Sequence, residues 1–200
     1  MKPTSTGIRI TIAAVCTIAA AAAGAELATT AGSTDIAVTQ HCPPAAAGPT
    51  ANGTAVIATG LDMGIDQHGI TTALTAALTE TRLQIVANPN VPASLTIPHD
   101  ALASDHLGVG ILLQQPPGWG PTATLMTAGG AAHAFYVAMR TVPDWQTSPP
   151  ARLAQLVQRA ITPDPYAAEI PAAAAFYRAH VNDAEAARAS GCTATTGSRP

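Results

Sequence analysis

The chain has 200 residues, with 9 Lys and Arg against 12 Asp and Glu and a formal net charge of −3. It contains no cluster of basic residues, so nucleic acid and anionic membrane surfaces are not expected as partners. Only 4% of the residues are aromatic and 48% are hydrophobic, so the interior is expected to consist mainly of Ala, Leu, Ile and Val.

Residues 1–25 have the features of a secretory signal peptide. Lys2 and Arg9 give a positive start, residues 10–23 form an uncharged run of small apolar side chains, and Ala-Gly-Ala at 23–25 suits signal peptidase. A membrane-spanning helix is the competing interpretation, but the run is short and is interrupted by threonine. We therefore predict a secreted or cell-envelope protein without stable membrane insertion after cleavage. Its mature formal charge would be −5, from 7 basic and 12 acidic residues.

Residues 26–53 are rich in Ala, Thr, Gly and Pro and have no periodicity, which predicts a flexible spacer. The mature chain keeps two cysteines, Cys42 and Cys192, one near each end. In an oxidising compartment the simplest prediction is a disulfide between them, which would stabilise the domain by about 2 to 5 kcal/mol. Two free thiols are the alternative. Residues 191–200 are predicted to be a ragged tail.

Residues 54–190 are predicted to form one mainly α domain. An apolar stripe at helical spacing, from Ile70 to Leu78, follows a capping residue at Asp66. Residues 88–110 contain several prolines and no helical period, which predicts a long loop or at most a small hairpin. Helices are predicted at 54–61, 66–81, 121–126, 131–142, from 150 to the proline at 163, and at 171–190.

Glu80 lies at the end of the helix predicted at 66–81, on the same face as Ala73, Ala76 and Ala77. Small neighbours let other backbone approach closely. This enclosure and the negative end of the helix both favour the protonated carboxyl group that a general acid requires. On sequence geometry alone, an exposed Glu80 that pairs with Arg82 or with water is the favoured interpretation.

Three segments, 76–83, 108–115 and 118–120, together resemble the lysozyme-like domain of soluble lytic transglycosylases. They resemble more closely the transglycosylase-like domains of secreted actinobacterial proteins. The signature of lytic transglycosylases is a helix that ends in Glu-Ser, then a loop, then a glycine-rich turn that leads into an apolar residue and a Gln. The resemblance extends over residues 54–166 and implies a lysozyme-like helical fold.

The chain departs from this signature at two places. Thr81 stands where the family usually has Ser, which keeps the hydroxyl group. If Gly110 is the second glycine of the turn, the family's Gln falls on Leu113. A shift by one residue places the Gln on Gln114 but puts Ile111 in place of that glycine.

The resemblance implies a glycosidase that cleaves peptidoglycan with one carboxylic acid, Glu80, and needs neither a metal nor an organic cofactor. The acid protonates the oxygen of a MurNAc–GlcNAc bond, and the sugar's own 6-hydroxyl or a water molecule completes the cleavage. The expected substrate is the glycan strand of peptidoglycan, and the oligomeric state is left open. A non-catalytic module that binds cell wall or protein is the alternative. The candidate substrate-binding residues are Thr81, Asp105, Gly110, Gln114, Gln115 and Trp119.

Several of these residues have competing interpretations. Of the two loop acids, Asp100 and Asp105, Asp105 is the better candidate for a second carboxylate, but a solvated loop or turn residue is the favoured interpretation. Trp119 lies between two glycines and suits stacking on a sugar ring, although it could instead fill a large slot in the core. Gln158 and Tyr166 lie where transglycosylases contribute a late Tyr/Asn motif, and a core or capping role is expected for both.

The histidines raise one further alternative. His99-Asp100 and Asp105-His106 place four potential metal ligands within eight residues, as in a metal-binding envelope protein. Their spacing fits no helix face, and polar loop residues near a cleft are the preferred interpretation. His133 and His180 are expected to be partly buried in helices.

Overall fold

The computed structural model describes residues 48–103, 106–160 and 164–190. Over this part of the chain the protein is mainly α-helical, as predicted. None of the helices in these ranges is both long and apolar enough to cross a membrane. In chain order the elements are α1 Pro49–Asp62, α2 Gln67–Thr81, β1 Val86–Ala87, a 3-10 helix Pro92–Thr96, β2 Ala101–Leu102, α3 Thr122–Leu125, α4 Ala128–Met139, α5 Pro150–Gln158 and α6 Asp164–Ala189.

Helix α2 is the most deeply buried helix and contacts α1, α4, α5 and α6. It begins after Asp66, whose carboxylate accepts a hydrogen bond from the Gly69 N–H at 2.9 Å. It ends at two residues with left-handed backbone, Arg82 and Leu83, whose N–H groups donate to carbonyls of the last turns. The prediction of a helix at 66–81 is confirmed, and α2 places Glu80 in its final turn.

Helix α1 begins five residues earlier than the start predicted at residue 54, so it includes the end of the predicted spacer. Pro49 is the first helical residue, a position where its fixed φ favours the helix and its missing N–H costs little. The Asn52 amide donates to the carbonyl oxygen of Leu83 and to Asp100 Oδ2, both at 2.8 Å. These tertiary contacts, which no local pattern reveals, hold the first turn against the domain.

Helix α6 also begins earlier than predicted, and here the prediction at Pro171 is wrong. The helix spans Asp164–Ala189, with Pro171 inside it. Proline in a helix interior usually costs about 3 kcal/mol, because it removes one backbone hydrogen bond and crowds the preceding turn. Packing of α6 against α1, α2 and α5 offsets that cost. Tyr166, on the first turn of α6, is consequently helical and buried.

The two short strands are parallel, so they do not form the small hairpin that was the second option for residues 88–110. Val86 pairs with Ala101 and Ala87 with Leu102. The chain between them turns through the 3-10 helix Pro92–Thr96 and returns in the same direction. The carboxylate of Asp100 accepts a hydrogen bond from the Ile85 N–H at 2.7 Å, which fixes the register of the strands.

The core consists largely of aliphatic side chains and alanine, as the composition predicts. Its largest fully buried side chains are aromatic: Phe135 and Tyr136 meet edge to face with ring centres 6.1 Å apart. The Tyr136 hydroxyl donates to the carbonyl oxygen of Val56 at 3.0 Å, which ties α4 to α1. The predicted signal peptide, the tail, Cys42 and Cys192 lie outside the described residues.

Candidate active site

The tight turn at residues 109–114, called the glycine-rich turn below, lies directly against the end of α2. Val109 and Gln114 form an antiparallel bridge around it, and the Gly110 N–H donates to the Val86 carbonyl oxygen at 2.8 Å. The hydroxyl of Thr81 lies 2.7 Å from the Ile111 carbonyl oxygen and 3.2 Å from that of Ala77. Thr81 therefore joins the last turn of α2 to the glycine-rich turn.

Thr81 and Gly110 hold the glycine-rich turn in place, and neither lines the cleft that opens beside the turn. Thr81 is buried, and its hydroxyl is used within the protein. Gly110 has φ +75°, and a Cβ there would lie 1.9 Å from the Leu125 carbonyl oxygen. Glycine is required at this position by the backbone and by the approach of α3. Both were predicted to contact substrate, and neither lines the cleft.

A cleft with a volume of about 860 Å³ opens beside this turn. Glu80 lies on its wall. The remaining lining comes from segments 112–116 and 118–121, from Thr124 of α3, from one face of α4 and from residues 157–159 at the end of α5. A cleft of this volume is within the usual range for sites that bind a small molecule or part of a polymer.

Glu80 is half-buried on the cleft wall, and its Oε1 accepts a hydrogen bond from the Tyr166 hydroxyl at 2.7 Å. It does not form the predicted alternative pair with Arg82, because Arg82 lies 2.6 Å from Glu169 instead. Among the described residues, no other carboxylate lines the cleft. This arrangement offers one carboxyl group, held in a fixed orientation, to whatever occupies the cleft.

Tyr166 is only 2% exposed. Burial raises the pKa of its phenol above the ordinary value of 10.0, and the hydrogen bond to Glu80 and the charge of that carboxylate raise it further. The phenol thus remains protonated, and its hydroxyl orients Glu80 by donating a hydrogen bond to it. The expected core role is correct but incomplete, since the contact joins residues 86 positions apart. The late Tyr/Asn motif of the transglycosylases was the one signal that pointed to it.

Gln114 and Gln115 occupy different environments. Gln114 is 1% exposed; its Nε2 donates to the Ala131 carbonyl oxygen at 3.2 Å, and among the described residues its Oε1 has no hydrogen-bond partner. Gln115 is exposed on the cleft wall. Only Gln115 offers a freely accessible amide, whereas Gln114 contributes a buried carbonyl oxygen at the base of the wall.

Trp119 combines the two roles that were considered for it. Its side chain is half-buried, packs against the edge of the core and also lines the cleft. The backbone N–H of Trp119 donates to the Gln115 carbonyl oxygen at 3.1 Å, which holds the loop after the turn. Trp145 is also half-buried, but it packs near Gly69 and is not on the cleft wall.

The loop histidines and acids do not come together as a site in the described part of the chain. Asp100 binds the Ile85 N–H and the Asn52 amide, which gives it a structural role. Asp105 lies outside the described residues. No group of three or more potential metal ligands occurs within 48–103, 106–160 and 164–190.

The two helical histidines differ from each other. His180 is half-buried as expected and lies 3.2 Å from Asp183. His133 is exposed, contrary to expectation, and lines the cleft. Arg159 also lines the cleft, and nothing in the sequence pattern indicated a role for it.

No protein-family model matches the chain, and comparison with curated proteins also finds no match. Its function is therefore inferred from the residues of the cleft and from the short motifs that carry the resemblance.

Proposed function

We propose that the chain is an exported glycosidase that cleaves the glycan strands of peptidoglycan, of the lytic transglycosylase or muramidase type, on a lysozyme-like fold. The observation that carries the proposal is the half-buried Glu80 on the cleft wall with the Tyr166 hydroxyl 2.7 Å from its Oε1. Support comes from the position of Glu80 in the last turn of α2, directly before the hydroxyl residue Thr81 and against a glycine-containing turn.

The proposed chemistry needs one acid and a means of holding it. Glu80 donates its proton to the glycosidic oxygen and then acts as the base for the attacking hydroxyl. Tyr166 is a positioning residue, since it touches Glu80 and lies behind it. Trp119 offers an aromatic face to a sugar ring, and Gln115 offers amide donors and acceptors for acetamido and hydroxyl groups.

A non-catalytic wall-binding module is the second candidate, and one observation favours it. The amide of Gln114 is bonded to the Ala131 carbonyl oxygen and is almost fully buried. The turn therefore presents less of its amide to a ligand than the transglycosylase resemblance implies. Such a cleft could bind a strand without aligning it for proton transfer.

Incubation of the purified protein with isolated peptidoglycan distinguishes the two candidates. The glycosidase predicts release of soluble muropeptides, and their masses report whether the new ends are anhydro sugars or hydrolysed sugars. Co-sedimentation with peptidoglycan without any release would support the binding module. The absence of both release and co-sedimentation would reject both candidates.

A further inference from the structure

The cleft has basic groups on the wall in addition to the acid. Arg159 and His133 both line it and both are exposed. His133 comes from α4, whereas Arg159 directly follows α5. Glu80 is the only acidic side chain of the described residues that lines the same space. Arg159 thus places a cationic group on the wall of the same cleft, although the whole chain is net acidic at −3.

Arg159 differs from a second arginine in the same kind of backbone position. Arg82 and Arg159 each follow the last residue of a helix and each have φ +57°. Arg82 is ion-paired with Glu169 outside the cleft. The guanidinium of Arg159 has no ion-pair or hydrogen-bond partner within the described ranges. Its five donors are thus available to a group that enters the cleft.

The backbone at Arg159 is held firmly, so the side chain starts from a fixed point. The neighbouring Gln158 donates from Nε2 to the Leu112 carbonyl oxygen at 2.8 Å, which fastens the end of α5 to the turn beside Glu80. On the other side, the Ala160 N–H donates to the Gln155 carbonyl oxygen at 3.0 Å. Holding the backbone on both sides lowers the entropy lost when the guanidinium binds a ligand.

We propose that Arg159 binds a carboxylate of the ligand, so that the cleft selects carboxylate-bearing glycan strands over neutral ones. This inference rests on the proposed function. A guanidinium matches a carboxylate with two parallel hydrogen bonds, which gives geometric specificity as well as affinity. Peptidoglycan carries carboxylates on its lactyl groups and on its stem peptides, whereas strands built only of N-acetylglucosamine carry none.

Binding to the full chain with Glu80→Gln tests this without cleavage of the ligand. Three probes are titrated by calorimetry: peptide-free MurNAc–GlcNAc oligosaccharides with free lactyl carboxylates, the same oligosaccharides with those groups converted to amides, and oligosaccharides that carry stem peptides. The affinity for each probe is measured for Glu80→Gln alone and for the double variant Glu80→Gln, Arg159→Gln. Arg178→Gln is the control, because Arg178 is exposed on α6 and does not line the cleft.

Arg159→Gln is expected to weaken binding of a carboxylate-bearing probe about tenfold and to leave the amidated probe within about twofold. Loss on the peptide-free probe assigns the lactyl carboxylate, and loss confined to the third probe assigns the stem peptide. Arg159→Lys should restore part of the affinity, since it keeps the charge but loses the planar fork. Arg178→Gln should change none of the three affinities.

Equal weakening of all three probes, or no weakening of any, would overturn the inference. If the protein cleaves peptidoglycan while Arg159→Gln is without effect, the proposed function stands and only the carboxylate selection fails. If the protein binds none of the probes, the proposed function fails, and the selection falls with it.

Discussion

The hydrogen bond from Tyr166 to Glu80 is the single contact on which the proposed role of Glu80 depends most. It joins the end of α2 to the start of α6, and its two members are 86 positions apart. Because Tyr166 is buried and its pKa is raised, its hydroxyl stays protonated and donates to Oε1 of Glu80. The contact therefore fixes where Glu80 points and can support proton transfer in both directions.

Replacement of Tyr166 by Phe should lower the rate of peptidoglycan cleavage about tenfold, because Glu80 loses the group that orients it. Tyr136→Phe is the matched control, since it removes the same hydroxyl from a buried bond to Val56, away from the cleft. Each variant should lose about 1 to 3 kcal/mol of unfolding free energy. Initial rates of muropeptide release and urea unfolding give the two readouts. Equal activity loss in both variants would mean that Tyr166 acts only through stability.

Replacement of Thr81 by Val should destabilise the protein by about 1 to 2 kcal/mol, because the Ile111 carbonyl oxygen loses its donor and the turn is released from α2. Thr75→Val is the control, as Thr75 is also buried but its hydroxyl bonds only to Thr71 within the same helix. Thr81→Ser should keep most of the stability. Urea midpoints decide the matter, and equal losses for the two valine variants would contradict the role given to Thr81.

At the scale of elements, the parts that the sequence predicts are those with local signals. Helix α2 is predictable because Asp66 caps it and its apolar stripe repeats at helical spacing. The parallel pairing of Val86 with Ala101 is not predictable, because two-residue strands carry no pattern and their contact is made across a loop. Pro171 misleads for a similar reason: its local cost is offset by the packing of α6 against the other helices.

The glycine-rich turn yields a sharp test of how closely the elements pack. Gly110→Ala should destabilise by about 3 kcal/mol or more, because the left-handed backbone disfavours a side chain and the new Cβ meets the Leu125 carbonyl oxygen. Gly64→Ala has the same left-handed backbone, at φ +66°, but nothing lies within 4 Å of its added Cβ. It should cost only about 1 kcal/mol. Equal shifts in the urea midpoint would show that α3 does not press on the turn.

At the scale of the whole molecule, the candidate site is assembled from segments distant in sequence. The position of Glu80 was predictable from the helix that carries it and from the short motif around it. The roles of Tyr166, His133 and Arg159 were not, because each depends on how α4, α5 and α6 pack around α2. Local pattern thus placed Glu80 at the end of α2, and tertiary packing brings the other cleft residues around it.

The stability of the whole protein should fall as the pH rises above about 10. Burial is the largest cause of the raised pKa of both Tyr136 and Tyr166, whose ordinary value is 10.0. The unfolded chain then loses these protons at lower pH than the folded protein. The stabilisation is complete below pH 10 and is lost as the pH rises toward the folded-state values. Urea midpoints across this range should decline less steeply for the double variant Tyr136→Phe, Tyr166→Phe. Ionisation of both phenols near pH 10 in protein that is still folded would contradict this explanation of the pH dependence.

The most direct test of the central claim is the initial rate of muropeptide release from isolated peptidoglycan by the wild type, Glu80→Gln and Glu185→Gln. Glutamine keeps the shape of Glu80 and can still accept from Tyr166, but it cannot supply the proton. Glu185 is exposed on α6 and does not line the cleft. We expect a loss of about a hundredfold or more for Glu80→Gln and almost none for Glu185→Gln. Release by Glu80→Gln at the wild-type rate would contradict it.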